Sequence, residues 1–327
     1  MPNKSFAQRM KEHQIIWAGK NGLDQLLEKR NDTQPSWVLK KEHKKRNLQD
    51  ATWWKHIEGR EHLWSRALNS SQCFGVNLFG PLAINRSLAK QALTDTLFQR
   101  QELEGGDEVT VLFEHTPEDA PEWLGETKQA TQVDVFFTVK RMEKPIGFLL
   151  VEVKYTEQGF GSCRGAVKSI PTKPGNPDSK RCENLQAVLE NPKKMCWMAE
   201  AENGRHYWDF MLAPSTPFNF SSETACPFRQ SLYQLMRNQV LAIALVQKTK
   251  ADWAEFGVCI HPRNEEVRQL KESVAGHNNP LQSFNELLPN QKKLIEINPL
   301  DIIELVRSND PSFSEWADWM ISRYDLH

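Results

Sequence analysis

The sequence predicts a mixed α/β protein, an α+β arrangement in which helices cover a small sheet. Three observations predict it. Two apolar runs, ATQVDVFFTVK and IGFLLVEVKYTE, are rich in Val, Phe and Leu and read as adjacent strands joined by the turn RMEKP. The later stretch CPFRQSLYQLMRNQVLAIALVQKT carries Leu232, Leu235, Met236, Val240 and Ile243 at helical spacing. The short run EFGVCIHP comes after it as another strand. Helices layered on a sheet accommodate that succession.

Taken in order, the first part of the chain reads as helical. In DATWWKHIEGREHLWSRALN, Asp50 stands as a cap, and Trp53, Trp54, Ile57, Glu61 or His62, Trp64 and Leu68 recur near helical spacing. NLFGPL, residues 77–82, reads as a turn because Gly-Pro punctuates it. A helix is expected over 85–101, with Leu88, Ala92, Leu93, Thr96 and Leu97 as its buried stripe and EGGD after it. EVTVLFEH reads as the first strand, and TPEDAPEWLGETKQ as a loop before the two strong strands. From Gly159 to Lys180 the chain is dominated by Gly, Ser, Pro and Lys and reads as a long flexible loop. Pro227 suits the first turn of the long helix. After NNP the chain reads as mostly helical. The division expected is a helical region over 1–76, a core over 77–262 and a helical region over 263–327, packed as one unit.

Bulk properties narrow the class. The chain has 327 residues, 39% hydrophobic, with eleven Trp and sixteen Phe, and a mean hydropathy of -0.60, so it has material for a substantial core. No apolar run approaches the roughly 18 residues of a membrane span. MPNKSFAQRMKEHQ lacks a signal-peptide apolar stretch, so a cytoplasmic location is expected. Net charge is -1, but KKEHKKR (Lys40–Arg46) and the stretch Arg164–Arg181 are locally basic and suit either phosphate or a solvated surface. The six cysteines form no CxxC pair. Cys163, Cys182, Cys196 and Cys226 match no ligand spacing, so ordinary thiols are expected.

Charges inside the two strong strands are the unusual feature. Alternation puts Phe148, Leu150, Glu152 and Lys154 on one face and Leu149, Val151, Val153 and Tyr155 on the other. Asp134 lies on the neighbouring strand, close enough across the hairpin for its carboxylate to converge with that of Glu152. Buried charges require partners or a metal. Two converging carboxylates, with the Val153 carbonyl as an extra oxygen, suit Mg²⁺ or Mn²⁺. Such an ion polarises phosphate oxygens and activates water, and Lys154 beside it would orient the water or stabilise charge on phosphate.

Asp134 with Glu152-Val153-Lys154, set on a strand hairpin between helices, resembles the PD-(D/E)XK nuclease superfamily, the restriction-endonuclease-like fold. The resemblance spans roughly 77–262. It implies an α-β-β-β-α-β core with helical additions and a metal-dependent phosphodiesterase, with DNA ahead of RNA as substrate, in a prokaryotic restriction, defence or repair setting. It makes Asp134 and Glu152 metal ligands and Lys154 the catalytic lysine. Val133 stands where the family has Pro. Many members add a Glu from the preceding helix; here Glu58, Glu61 and, as a neutral substitute, Gln72 are the choices, since the helix expected over 85–101 offers no Glu until Glu102. In the family the helix after the sheet often supplies a Gln, Lys or Arg. Gln234 and Arg237 share a face of that helix with Gln230 and fit the role, with Arg237 reaching phosphate or pairing structurally with a carboxylate. Cutting both strands together calls for two sites, hence a homodimer.

His115, His206 and His261 have no spaced partners and read as satisfied residues. Trp197, Tyr207 and Trp208 read as core ahead of base stacking. The rival reading is an inactive module that binds nucleic acid or protein, with Lys154 as a counter-ion to Asp134 and Glu152. A carboxylate-pair glycosidase is a weaker rival, since Lys154 and the apolar strands do not suit an open sugar cleft.

Overall fold

A computed structural model describes residues 4–30, 34–97, 103–168, 170, 175–200, 204–220, 223–289 and 293–327. Ser5 opens the first helix, Phe6–Lys20 (α1), in a capping box with Gln8. Beyond α1 the chain is not helical as expected: Leu27–Arg30 (β1) pairs antiparallel with Gln34–Leu39 (β2), where Trp37, Val38 and Leu39 favour extended chain. Asp50 does cap, accepting from the Thr52 N–H at 2.8 Å, but only Ala51–His56 winds, as a 3-10 segment. Gly59 at φ 81 takes the chain out of helical geometry soon after. Trp53, Trp54, Ile57 and Leu68 are buried as expected, whereas Trp64 is 62% exposed.

NLFGPL is a second correction, because it lies inside a helix, Ser71–Ile84 (α2), capped by the Ser70 hydroxyl. Pro81 has no N–H for the Asn77 carbonyl, and the Trp316 indole N–H fills that vacancy at 2.8 Å. Gly80 is there for close approach, since a Cβ would stand 2.5 Å from the Trp53 ring. The helix expected over 85–101 is Arg86–Gln91 (α3), capped by Asn85, running into a π-helical turn at Ala92–Leu97. Leu88, Ala92, Leu93 and Leu97 are buried. The Thr96 side chain and the remainder to Gln101, with Glu102, lie outside the described residues.

The three expected strands are present as Glu108–His115 (β3), Val133–Arg141 (β4) and Lys144–Lys154 (β5), an antiparallel meander. Met142 and Glu143, both at positive φ, make the two-residue turn between β4 and β5. The long helix is Tyr233–Thr249 (α4); Pro227 lies instead in a separate 3-10 turn, Pro227–Arg229. The expected loop 159–180 contains a 3-10 turn at Arg164–Ala166 and enters another at Ser179–Glu183; Ser169 and 171–174 lie outside the described residues. Trp253–Ile260 (β6) pairs parallel with β5. Ile295–Ile297 (β7) pairs parallel with β6, a short strand in a stretch expected to be mostly helical. The sheet order is β3-β4-β5-β6-β7. Helices Pro299–Asn309 (α5) and Ser314–Tyr324 (α6) complete the chain.

Two cores sandwich the sheet. Leu149, Val151 and Val153 of β5 pack with Phe74 and Phe79 of α2 and with Trp316 of α6. Phe148 and Leu150 pack with Leu235, Leu241 and Leu245 of α4. The alternation therefore delivers Glu152 and Lys154 to the α4 side, at the end of β5.

Candidate active site

Asp134 lies one residue beyond the Val135–Val151 pair, which places it opposite Glu152. Its Oδ2 accepts the Val153 N–H at 2.7 Å, so backbone geometry fixes the carboxylate against β5. Lys154 Nζ donates to Glu152 Oε1 at 2.7 Å and to Gln234 Oε1 of α4 at 3.0 Å. Asn238, one turn further along α4, donates to Glu152 Oε2 at 2.8 Å. Glu152 and Lys154 are both buried. The structure thus brings Asp134, Glu152, Lys154 and Gln234 together. It adds Asn238, which in the sequence is one more polar residue on a long helix.

Glu114 is the larger addition. It stands at the end of β3, between the pairs Phe113–Val135 and His115–Val133, hence opposite Asp134. Its φ of 48 breaks the strand's alternation, and the residue is buried where alternation alone would expose it. A strained non-glycine backbone is often kept at a functional position. Glu114 Oε2 meets His62 Nε2 at 3.1 Å. Gln72, the neutral ligand candidate, instead accepts the His62 N–H and donates to the Arg60 carbonyl, both at 3.0 Å, which steers His62 toward Glu114.

Negative charge is in excess here. Burial, then Glu152 and Glu114, push the Asp134 carboxyl well above the usual carboxylate range. Burial alone would lower the Lys154 pKa, but Glu152, Glu157 and Asp134 outweigh it and hold the ammonium charged. Glu114 raises the His62 pKa more than burial lowers it. Asp134 and Glu152 offer hard oxygens on facing strands, the donor chemistry a divalent cation takes, and such a cation would relieve this repulsion. Among the described residues no group of three or more His, Cys, Asp or Glu is arranged to hold a metal ion, so any such ion would draw on a carboxylate pair with backbone, water or phosphate oxygens.

Two nominated residues are placed elsewhere. Glu61 is bound by Lys44 at 2.7 Å, by the Trp54 indole at 3.2 Å and by the Gly59 N–H, and the Lys44 hydrogen bond leads in holding its carboxyl down at about 2. Arg237 bonds Thr131 Oγ1 at 3.1 Å and approaches Glu126 at 3.5 Å. Glu126 is buried and also takes the Tyr207 hydroxyl and the Thr131 N–H and hydroxyl. Arg237 thus takes the structural alternative. Glu58 is exposed.

The other aromatic and imidazole side chains expected to be satisfied are accounted for locally. His115 packs on Phe136, His206 bonds the Trp123 carbonyl, and Tyr207 and Trp208 are core. Cys163, Cys196 and Cys226 line a small apolar cavity, with Cys182 beside it. Burial pushes the Cys163 and Cys182 thiols up to about 12 and about 11, far from reactive thiolates.

Comparison with known families shows what kind of chain carries this site. The model of the family described as Restriction Endonuclease associating with ARP matches residues 6–325. The chain belongs to that family. Searches of curated proteins and of solved structures returned no match. As a restriction endonuclease family member the chain has a mixed α/β fold of the restriction-endonuclease type and is, in general terms, a nuclease with a nucleic-acid substrate. Among its described residues no helix is long and apolar enough to cross a membrane.

Proposed function

We propose that this restriction endonuclease family chain is a Mg²⁺- or Mn²⁺-dependent deoxyribonuclease whose active site is Asp134, Glu152, Lys154 and Gln234. The observation that carries the reading is the buried Lys154–Glu152 pair facing Asp134 across β4 and β5. Asp134, Glu152 and the Val153 carbonyl would hold the ion, which would supply Lewis acidity at phosphate oxygens. Lys154 keeps its proton and places a fixed positive charge where charge grows on phosphate. Gln234 aims the ammonium, and Asn238 and Val153 N–H fix the two carboxylates. The regions 1–76 and 263–327 flank the core 77–262 as packed additions. The family description adds a protein partner to the proposal.

The test is cleavage of linear and circular DNA, single- and double-stranded, and of RNA, in Mg²⁺, Mn²⁺ or EDTA, beside Lys154→Ala and Glu152→Ala. Metal-dependent cutting lost in both variants supports the assignment. Cutting that survives both removes it. One observation favours the rival, an inactive binding module: both Glu152 oxygens already accept hydrogen bonds, from Lys154 and Asn238, as in a closed structural ion pair. Absence of metal binding by titration would select that reading.

A further inference from the structure

A groove of about 410 Å³ lies just past the end of β5 and meets the acidic cluster at His62, the partner of Glu114. Two of its lining residues belong electrically to the cluster: His62 bonds Glu114, and Glu157 acts on Lys154. The lining also includes Trp64, 62% exposed, and Trp37, with Lys11 Nζ 4.1 Å above its ring. Leu63 beside Trp64 is 84% exposed. Asn69 and Thr156, bonded at 3.1 Å, add polar groups.

An indole left in solvent beside the acidic cluster offers a stacking surface to an occupant with a flat apolar face. Duplex DNA keeps the faces of its bases stacked on one another, so it has none to offer along its length. An unpaired strand offers one per nucleotide, together with phosphates for a lysine, and aromatic rings interleaved with cations are how sequence-tolerant single-strand grooves are built. The polar lining and its continuity with the cluster favour this over an apolar protein segment.

We propose that nucleic acid reaches the site as an unpaired strand, with a base stacked on Trp64 and its backbone beside Lys11. The inference rests on the nuclease reading and narrows its substrate class.

The test uses the full chain in EDTA, where nothing is cut, and fluorescein-labelled oligonucleotides read by anisotropy, single-stranded or as a blunt duplex of the same sequence. Trp64→Ala is expected to weaken single-strand binding about tenfold, leave duplex binding unchanged, and be largely rescued by Trp64→Phe. Circular dichroism checks that the variants fold. Equal weakening on both substrates, no weakening, or no binding of a single strand overturns the proposal, the last leaving the groove to a protein partner. Cleavage of blunt duplex by Trp64→Ala at the full rate also overturns it while keeping the nuclease. Trp64-dependent strand binding by a chain that cuts nothing keeps this inference and removes the nuclease reading.

Discussion

Two buried charge clusters lean on the same helix and differ in their balance. Around Glu126, one carboxylate is met by Arg237, Arg205, the Tyr207 hydroxyl and Thr131. Around Glu152, the carboxylates of Asp134 and Glu114 stand near one another, with Lys154 on Glu152 and His62 on Glu114 as the cations. The first cluster is closed and ties α4 to the loop before β4. The second keeps a surplus of negative charge, which folding alone does not favour and which a bound cation would offset. Arg237 and Gln234 lie three residues apart on α4 and serve different clusters, so a shared helix face does not by itself assign a shared role.

The largest expected effect tests the closed cluster. Glu126→Ala strands Arg237 and Tyr207 without their acid and should destabilise the fold by about 3–5 kcal/mol in denaturant titration. Activity per folded molecule should remain. Loss of activity at full stability would erase the contrast. Next, Glu152→Gln should lower cleavage by about 10²–10³-fold, with a melting temperature close to that of the parent. A large fall in melting temperature at retained activity would reverse the roles of the two clusters.

Much of the architecture is legible in the sequence. β4 and β5 can be read to within three residues at either end because their apolar runs are long and their turn is short, and period-two alternation then fixes the face of Glu152 and Lys154. Glu114 is not legible: an acid ending an alternating strand reads as solvent-facing, and only its left-handed backbone brings it inward. α2 is hidden by Gly80 and Pro81, whose local meaning is a turn. Tertiary contacts with Trp53 and Trp316 override that meaning. Arg237 cannot be separated from Gln234 by spacing, because the partner that distinguishes it, Glu126, lies far away in sequence.

Two smaller effects sharpen the picture of charge in this molecule. His261 is buried and neutral, with Nε2 toward the Tyr324 carbonyl and Nδ1 toward the Arg263 N–H, and burial lowers its pKa to about 4. The unfolded chain takes up that proton near 6.5, so stability is full above pH 6.5 and falls as pH drops toward 4, by up to about 3 kcal/mol. Melting curves across that window should flatten in His261→Gln; an unchanged slope would assign the acid sensitivity elsewhere. Glu61→Ala removes a partly exposed pair with Lys44 and should change stability by less than about 1 kcal/mol, with cleavage intact. A strong loss of cleavage would return Glu61 to the metal site.

The bond from Trp316 to the Asn77 carbonyl joins residues 239 positions apart. Asn77 also donates to the Tyr324 hydroxyl, at 2.7 Å. A helix packed on the central sheet therefore stays incomplete until α6 has emerged and docked. Such high contact order slows folding, and on the ribosome it delays maturation until α6 has emerged. For a nuclease, that delay holds back completion of the core on which the candidate site is built.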